Sequence, residues 1–250
     1  MERRDFIKGF IALGACPACA RAAHASGLHW GYSGMEGPEH WADLDSENAA
    51  CSAGSQQSPV NLSGTIDADL PKLTVSWTSD IGWMVNNGHT IQIDLPAGGI
   101  LTRGDRRYTL LQFHFHAPSE HRVDGKAFPL EAHFVHEDKE TGVLGVLAVF
   151  LTPGTANPAF AELAAMFPAA EGGKVAIPLV APDAFLPASL RYWLYEGSLT
   201  TPPCSENVDW MVLMDPVEVA AEDIARFTAI YPANARPFVA PNRRFILSSR

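Results

Sequence analysis

Two short runs of alternating side chains constrain this chain more than anything else in it. They are Leu111-Gln112-Phe113-His114-Phe115-His116 and Leu130-Glu131-Ala132-His133-Phe134-Val135-His136. Side chains of a β-strand repeat every two residues, so each run reads as a strand with two chemically distinct faces. Gln112, His114 and His116 share one face of the first run, and Phe113 and Phe115 take the other. The same count puts Glu131, His133 and Val135 together in the second. If the two strands lie near each other, three imidazoles converge with polar partners beside them. Three nitrogen ligands leave a tetrahedral zinc one open position, which is what a catalytic zinc needs. Hydrolytic or hydration chemistry is the first expectation. The plain alternative is that each histidine is an ordinary core or surface residue. Against it stands the combination of a same-face His-x-His, a third His, and a carboxylate two residues before that third His.

Much of the remaining chain also reads as short strands. Residues 73–77, 83–85 and 90–95 form three, and Asn86-Asn87-Gly88 between the last two is a hairpin-turn signal. Ala97-Gly98-Gly99 and Arg103-Gly104-Asp105 punctuate the strands that follow, and a polar loop, 117–127, separates the two histidine runs. Residues 143–151 form a continuous apolar run, consistent with a strand buried on both faces. Residues 192–195 and 208–214 read as further strands. Helices are predicted only over 158–167 and 219–231, and the segment before Ser58 reads as an irregular wrap over a core. The pattern predicts a mostly β (α+β) chain. It is a single domain around a large central mixed, mainly antiparallel β-sheet with few short peripheral helices.

With 250 residues, 47% of them hydrophobic, the chain is long enough to bury a sizeable core. A formal net charge of −10 argues against nucleic-acid partners, which want a basic stripe. No apolar run beyond the first residues reaches the length of a membrane span. Residues 1–25 read as an export signal. Arg3-Arg4-Asp5-Phe6-Ile7-Lys8 resembles the twin-arginine pattern, a short apolar stretch follows, and Ala23-His24-Ala25 offers a small-x-small cleavage site. A cut after Ala25 sends a mature chain, 26–250, to the periplasm or outside the cell. Two alternatives stand beside this. Leu13-Gly14-Ala15-Cys16 resembles a lipoprotein signal, with Cys16 lipidated as an anchor, and the segment could also be an ordinary amphipathic helix. Cys16 and Cys19 fall inside the signal, which leaves Cys51 and Cys204. An oxidising compartment favours pairing them, with two free buried thiols as the alternative.

Eight segments, in order from about residue 29 to the C-terminus, carry a resemblance. They are Trp30-Gly31-Tyr32, Gly37-Pro38-Glu39-His40-Trp41, Gln57-Ser58-Pro59-Val60-Asn61, Asn87-Gly88-His89, Gln112-Phe113-His114-Phe115-His116, Ser119-Glu120-His121, Glu131-Ala132-His133-Phe134-Val135-His136 and Gly197-Ser198-Leu199-Thr200-Thr201-Pro202-Pro203. Together they resemble the α-class carbonic anhydrases, bacterial and exported. Residues 26–250 would then be the catalytic domain. The resemblance implies reversible hydration of carbon dioxide to bicarbonate and a proton, through a hydroxide on a zinc ion (Zn2+) held by His114, His116 and His133. Carbonic anhydrase is itself the standing example of such a site, with the pKa of its zinc-bound water lowered to about 7.

Roles for the neighbours follow as expectations. From the strand faces, Gln112 can accept from the free ring nitrogen of His114, and Glu131 from that of His133. From the resemblance, Thr200 accepts from the bound hydroxide and donates to Glu120, and Thr201 lines the same cavity. Val135, Val146, Leu199 and Trp210 match the apolar wall where carbon dioxide sits. His89 matches a proton shuttle, for which an imidazole with a pKa near 7 on the cavity rim is best suited. Cys51 and Cys204 match the disulfide positions of extracellular and bacterial members. His121 and His136 would face away from the metal, and His29 and His40 belong to the N-terminal wrap. The partner is a small molecule, carbon dioxide or bicarbonate, and a homodimer is compatible with the sequence. Two rivals remain. A zinc peptidase wants a His-Glu-x-x-His helix, absent from His133-Phe134-Val135-His136. A non-catalytic carbonic-anhydrase-like zinc-binding module would be expected to have lost a zinc histidine.

Overall fold

A computed structural model describes residues 29–78, 80–95 and 99–250. The alternating runs pair into one sheet of thirteen strands, with a separate two-stranded sheet beside it. Through its middle run Ile91–Asp94, Arg106–His116, Leu130–Glu137, Leu144–Pro153, Val208–Leu213 and Tyr192–Gly197, in that spatial order. Neighbours in this series are antiparallel except Leu144–Pro153 with Val208–Leu213. Leu144–Pro153 also pairs in parallel with Val217–Val219, and Leu247–Ser249 with Ile66–Ala68. The mixed, mainly antiparallel sheet is thus as the alternation implies, and the few helices are short.

The two faces of the sheet bury different things. Phe113, Phe115 and Phe134 point to one side, where Phe115 meets Phe160 and Phe227 from the helices Pro158–Ala164 and Ala221–Ile230. Each such ring is fully buried, worth about 2–3 kcal/mol by area, and together they fix which face the helices cover. The opposite side carries a second cluster that includes Val135, Val146, Val212 and Trp210.

Several boundaries differ from expectation for local reasons. The first helix is capped by Asn157, whose side chain accepts from the Phe160 N–H, with Pro158 at its first position. The second helix begins late, at Ala221, because Val217–Val219 is recruited as a strand. Lys174–Val180 forms an unexpected strand at the sheet's edge, where a proline is tolerated. The N-terminal wrap is built of short helical turns, among them Trp41–Leu44 and Ala50–Ala53. The hairpin at Asn87-Gly88-His89-Thr90 joins Asp80–Asn86 to Ile91–Asp94, with Gly88 at φ +86°, a value that favours glycine.

Candidate metal centre

The register of the two histidine strands sets His114 directly opposite His133, Gln112 opposite Val135, and His116 opposite Glu131. Since both strands repeat every two residues, all six side chains lie on the same face. One nitrogen from each of His114, His116 and His133 lies within 4.8 Å of the others. Each ring is held by its other nitrogen. His114 Nδ1 meets Gln112 Oε1 at 2.8 Å, His116 Nδ1 meets the Asn234 carbonyl at 2.7 Å, and His133 Nε2 meets Glu131 Oε1 at 3.0 Å. A ring that donates to an acceptor through one nitrogen keeps a lone pair on the other. The free nitrogens are therefore Nε2 of His114, Nε2 of His116 and Nδ1 of His133.

Electrostatics agree with a cation site. Burial, reinforced by His116 and His133, holds the His114 pKa well below the ordinary histidine value. Burial also lowers His116, although Glu120 opposes it. Burial alone would raise Glu131, but His121 and His133 outweigh it and hold the carboxyl well below its usual range. The two rings so shifted stay neutral and Glu131 stays charged, the state in which imidazoles ligate metals. His116 Nε2 is buried without a hydrogen-bond partner, as is Glu120 Oε2, 3.6 Å away. An unpaired buried polar atom costs about 1–3 kcal/mol, and a metal ion would satisfy the imidazole nitrogen. Three imidazoles without a thiolate suit zinc. A second cluster among the described residues, His121, Glu131 and His133, is not open in the same way. His121 already spends Nδ1 on Glu131 Oε1 at 2.6 Å and Nε2 on the Tyr195 hydroxyl at 2.6 Å.

Beside the histidines, Val135, Val146 and Trp210 sit opposite one another across three adjacent strands. All three are buried, Leu199 packs against them, and the Trp210 ring lies 4.9 Å from that of His133. Thr200 is buried and Thr201 half-buried, in a turn tied by Leu199 N–H to Ser205 O at 3.0 Å and Cys204 N–H to Thr201 O at 2.9 Å. Cys204 is bonded to Cys51. Glu120 Oε1 accepts from the Arg236 backbone N–H at 2.8 Å. The expected Thr200-to-Glu120 hydrogen bond is not formed, and Oε2 stays unpaired. The buried Tyr32 hydroxyl is likewise unpaired, and its pKa is pushed well above the usual value by burial and then by Glu120.

His89 departs from the expected rim histidine poised near 7. Its ring lies flat against Trp30, centroids 3.6 Å apart and planes 6° apart, with His29 stacked at 5.2 Å. Burial and then His29 pull its pKa down to about 4. His29 thus touches a candidate site residue and is more than part of the wrap. His136 does face away from the metal site, toward Trp77. Asn234, Arg236 and Tyr195 escaped the sequence reading as site residues. Asn234 holds His116 through its carbonyl and the His89 carbonyl through Nδ2, at 3.0 Å. None of the three lies in the eight segments that carry the resemblance.

A family model described as eukaryotic-type carbonic anhydrase matches residues 36–246. This chain belongs to the carbonic anhydrase family. It is 42% identical over 232 residues to a carbonic anhydrase of Pectobacterium carotovorum, covering 92% of this chain and 94% of that relative. It is 42% identical over 240 residues to one of Neisseria gonorrhoeae, covering 95% and 94%. Among solved structures, the α-carbonic anhydrase of Thermovibrio ammonificans, determined with the inhibitor sulfanilamide, superposes with a TM-score of 0.85 at 43% identity. That match spans 88% of this chain and 98% of the other. Carbonic anhydrase activity is the activity this membership carries. The disulfide points to an oxidising compartment. Among the described residues no helix is long and apolar enough to cross a membrane. The expected signal at 1–25, with Cys16, Cys19 and the cut after Ala25, lies outside the described residues.

Proposed function

We propose that this carbonic anhydrase catalyses reversible hydration of carbon dioxide to bicarbonate and a proton, with a zinc ion held by His114, His116 and His133. The observation that carries this is the convergence of three free ring nitrogens, each fixed from behind by Gln112, Asn234 or Glu131. When bound, zinc would acidify a water in its open position and so supply a hydroxide near neutral pH.

The chain's own residues do the rest. Three uncharged ligands leave the cation's charge undiminished by the protein, and the fixed rings hold one geometry. Val135, Val146, Leu199 and Trp210 offer an apolar wall suited to a small nonpolar substrate. The unpaired Glu120 Oε2 is the acceptor a Thr200 hydroxyl needs, because Oε1 is already taken by Arg236. A Thr200 proton committed to Oε2 leaves the hydroxyl oxygen to accept from the reacting side. Thr201, on the same turn, lines the cavity. His89 carries the proton outward. With its pKa near 4 it releases a proton readily, but it takes one up less readily than an imidazole matched to working pH. The leader at residues 1–25 is proposed to send the chain to the compartment where its disulfide persists, by the twin-arginine route. Mass spectrometry of the exported protein's first residue checks this.

Stopped-flow carbon dioxide hydration, with zinc content measured in parallel, tests the reading. Removing zinc with a chelator, or replacing His116 with Ala, should abolish hydration, and zinc should restore only the wild type. A protein that binds stoichiometric zinc without hydrating carbon dioxide would instead be the non-catalytic module. His89→Ala should slow turnover at low buffer, with imidazole restoring it. Unchanged turnover at low buffer would remove His89 from the mechanism.

A further inference from the structure

Arg236 is 5% exposed, yet forms no salt bridge among the described residues. Its guanidinium is spent on neutral oxygens. Nη1 donates to Gln57 Oε1 at 2.9 Å and to the Ser58 carbonyl at 2.8 Å, and Nη2 donates to the Cys51 carbonyl at 2.9 Å. Its own backbone N–H donates to Glu120 Oε1. Gln57 continues the chain, with Nε2 donating to the Cys204 carbonyl at 3.0 Å. The Cys204 N–H donates in turn to Thr201. Glu120 and the Thr200–Thr201 turn, from distant parts of the chain, are thereby referenced to one buried anchor of Arg236, Gln57 and the Cys51–Cys204 bridge.

Packing alone does not call for a charged side chain here, since the guanidinium donates only to neutral oxygens and its burial carries a desolvation cost. A planar fork reaching three acceptors on Cys51, Gln57 and Ser58 does what packing cannot. It fixes the position of its own backbone, and hence of the N–H that Glu120 accepts.

We propose that Arg236, acting with Gln57, is a positioning residue for carbon dioxide hydration that sets the Glu120 carboxylate relative to the Thr200 turn. The inference rests on the reading that Thr200 and Glu120 work as a pair. Misplacing reacting groups by about 1 Å can cost on the order of 100-fold in rate. Arg236→Met and Gln57→Leu should each lower kcat/KM by roughly 10- to 100-fold at unchanged zinc content, and by less than about 3-fold when added to Thr200→Ala. The backbone amide of residue 236, followed by hydrogen exchange in the zinc-bound protein, should exchange faster in both variants.

An equal loss in both backgrounds, no loss in the wild-type background, or unchanged exchange would overturn the proposal and leave Arg236 a packing residue. If Thr200→Ala itself leaves the rate unchanged, the underlying pairing fails and the proposal falls with it. If instead Thr200→Ala is slow and Arg236→Met is not, only the present inference falls. Should Arg236→Met not fold, Arg236→Lys, which keeps charge but not the fork, and Gln57→Leu carry the test under the same criteria.

Discussion

His136 lies on the far face of the strand that carries His133, accepting from Trp77 Nε1 at Nε2 (3.1 Å) and donating from Nδ1 to the Gly145 carbonyl (3.0 Å). Both nitrogens are committed in the neutral ring, and a second proton would set N–H against N–H. Burial, partly opposed by nearby backbone carbonyls, lowers its pKa to about 4. An unfolded histidine titrates near 6.5, so below that pH the unfolded chain takes up a proton that the folded one refuses. The stabilisation is complete above pH 6.5 and is lost as pH falls toward 4, amounting to about 3 kcal/mol across that window. His136→Gln should therefore lose less stability than wild type between those pH values in urea titrations. Parallel losses would mean His136 does not set the acid limit. His89 gives a related prediction. Trp30→Ala removes the ring that buries it, and an NMR titration should show its pKa rising from about 4 toward 6.5. A value still near 4 would assign the shift to something other than that stack. Neither environment was legible beforehand, because alternation tells which face a histidine takes but not what covers it. Asn234, the support for His116, comes from 118 residues away in sequence.

Strand Tyr192–Gly197 ends where the Thr200 turn begins, and its last residue has no room for a side chain. A Cβ on Gly197 would lie 2.2 Å from Ser58 Oγ and 2.9 Å from the Tyr195 ring. Ser58 Oγ also accepts from the Ser198 N–H at 3.1 Å and from the Tyr195 hydroxyl at 3.0 Å, so displacing it disturbs the entry to the turn. Gly197→Ala should cost about 1–3 kcal/mol and reduce kcat/KM as well. Gly145→Ala is the matching control. Its Cβ would strike the Tyr108 ring at 2.7 Å, on the sheet face opposite the histidines. It should lower the melting temperature similarly while leaving kcat/KM per bound zinc near wild type. If both variants lost activity in proportion to stability, the Gly197 turn would have no special bearing on the site. Elements of this kind were readable where alternation was long, as in Arg106–His116 and Leu130–Glu137. They were not readable where pairing was decided elsewhere. Lys174–Val180 is a strand because Asp80–Asn86 is there to receive it, and Val217–Val219 because Leu144–Pro153 is.

At the scale of the whole molecule, the N-terminal wrap has a small core of its own, with Trp41, Cys51 and Cys204 buried together and Trp30 and Tyr32 packed around them. The bridge expected from compartment and resemblance is present, although only the fold shows how residues so far apart come into contact. The bridge closes a span of 153 residues. Chain-entropy arguments give such a closure about 5 kcal/mol, a large part of the roughly 5–15 kcal/mol that holds an ordinary domain folded. For a chain of this size that corresponds to a fall in melting temperature of about 10–20 °C on reduction. The site should suffer too, since Cys204 anchors the turn that carries Thr200 and Thr201, and the Cys51 carbonyl anchors Arg236. Cys51→Ser with Cys204→Ser should reproduce the effect of a strong reductant, and adding reductant to that double variant should change nothing further. Calorimetry with and without reductant, beside carbon dioxide hydration measured well below the lowered melting temperature, separates the two consequences. A wild-type melting temperature indifferent to reductant would rule out the bridge as the clamp on this wrap.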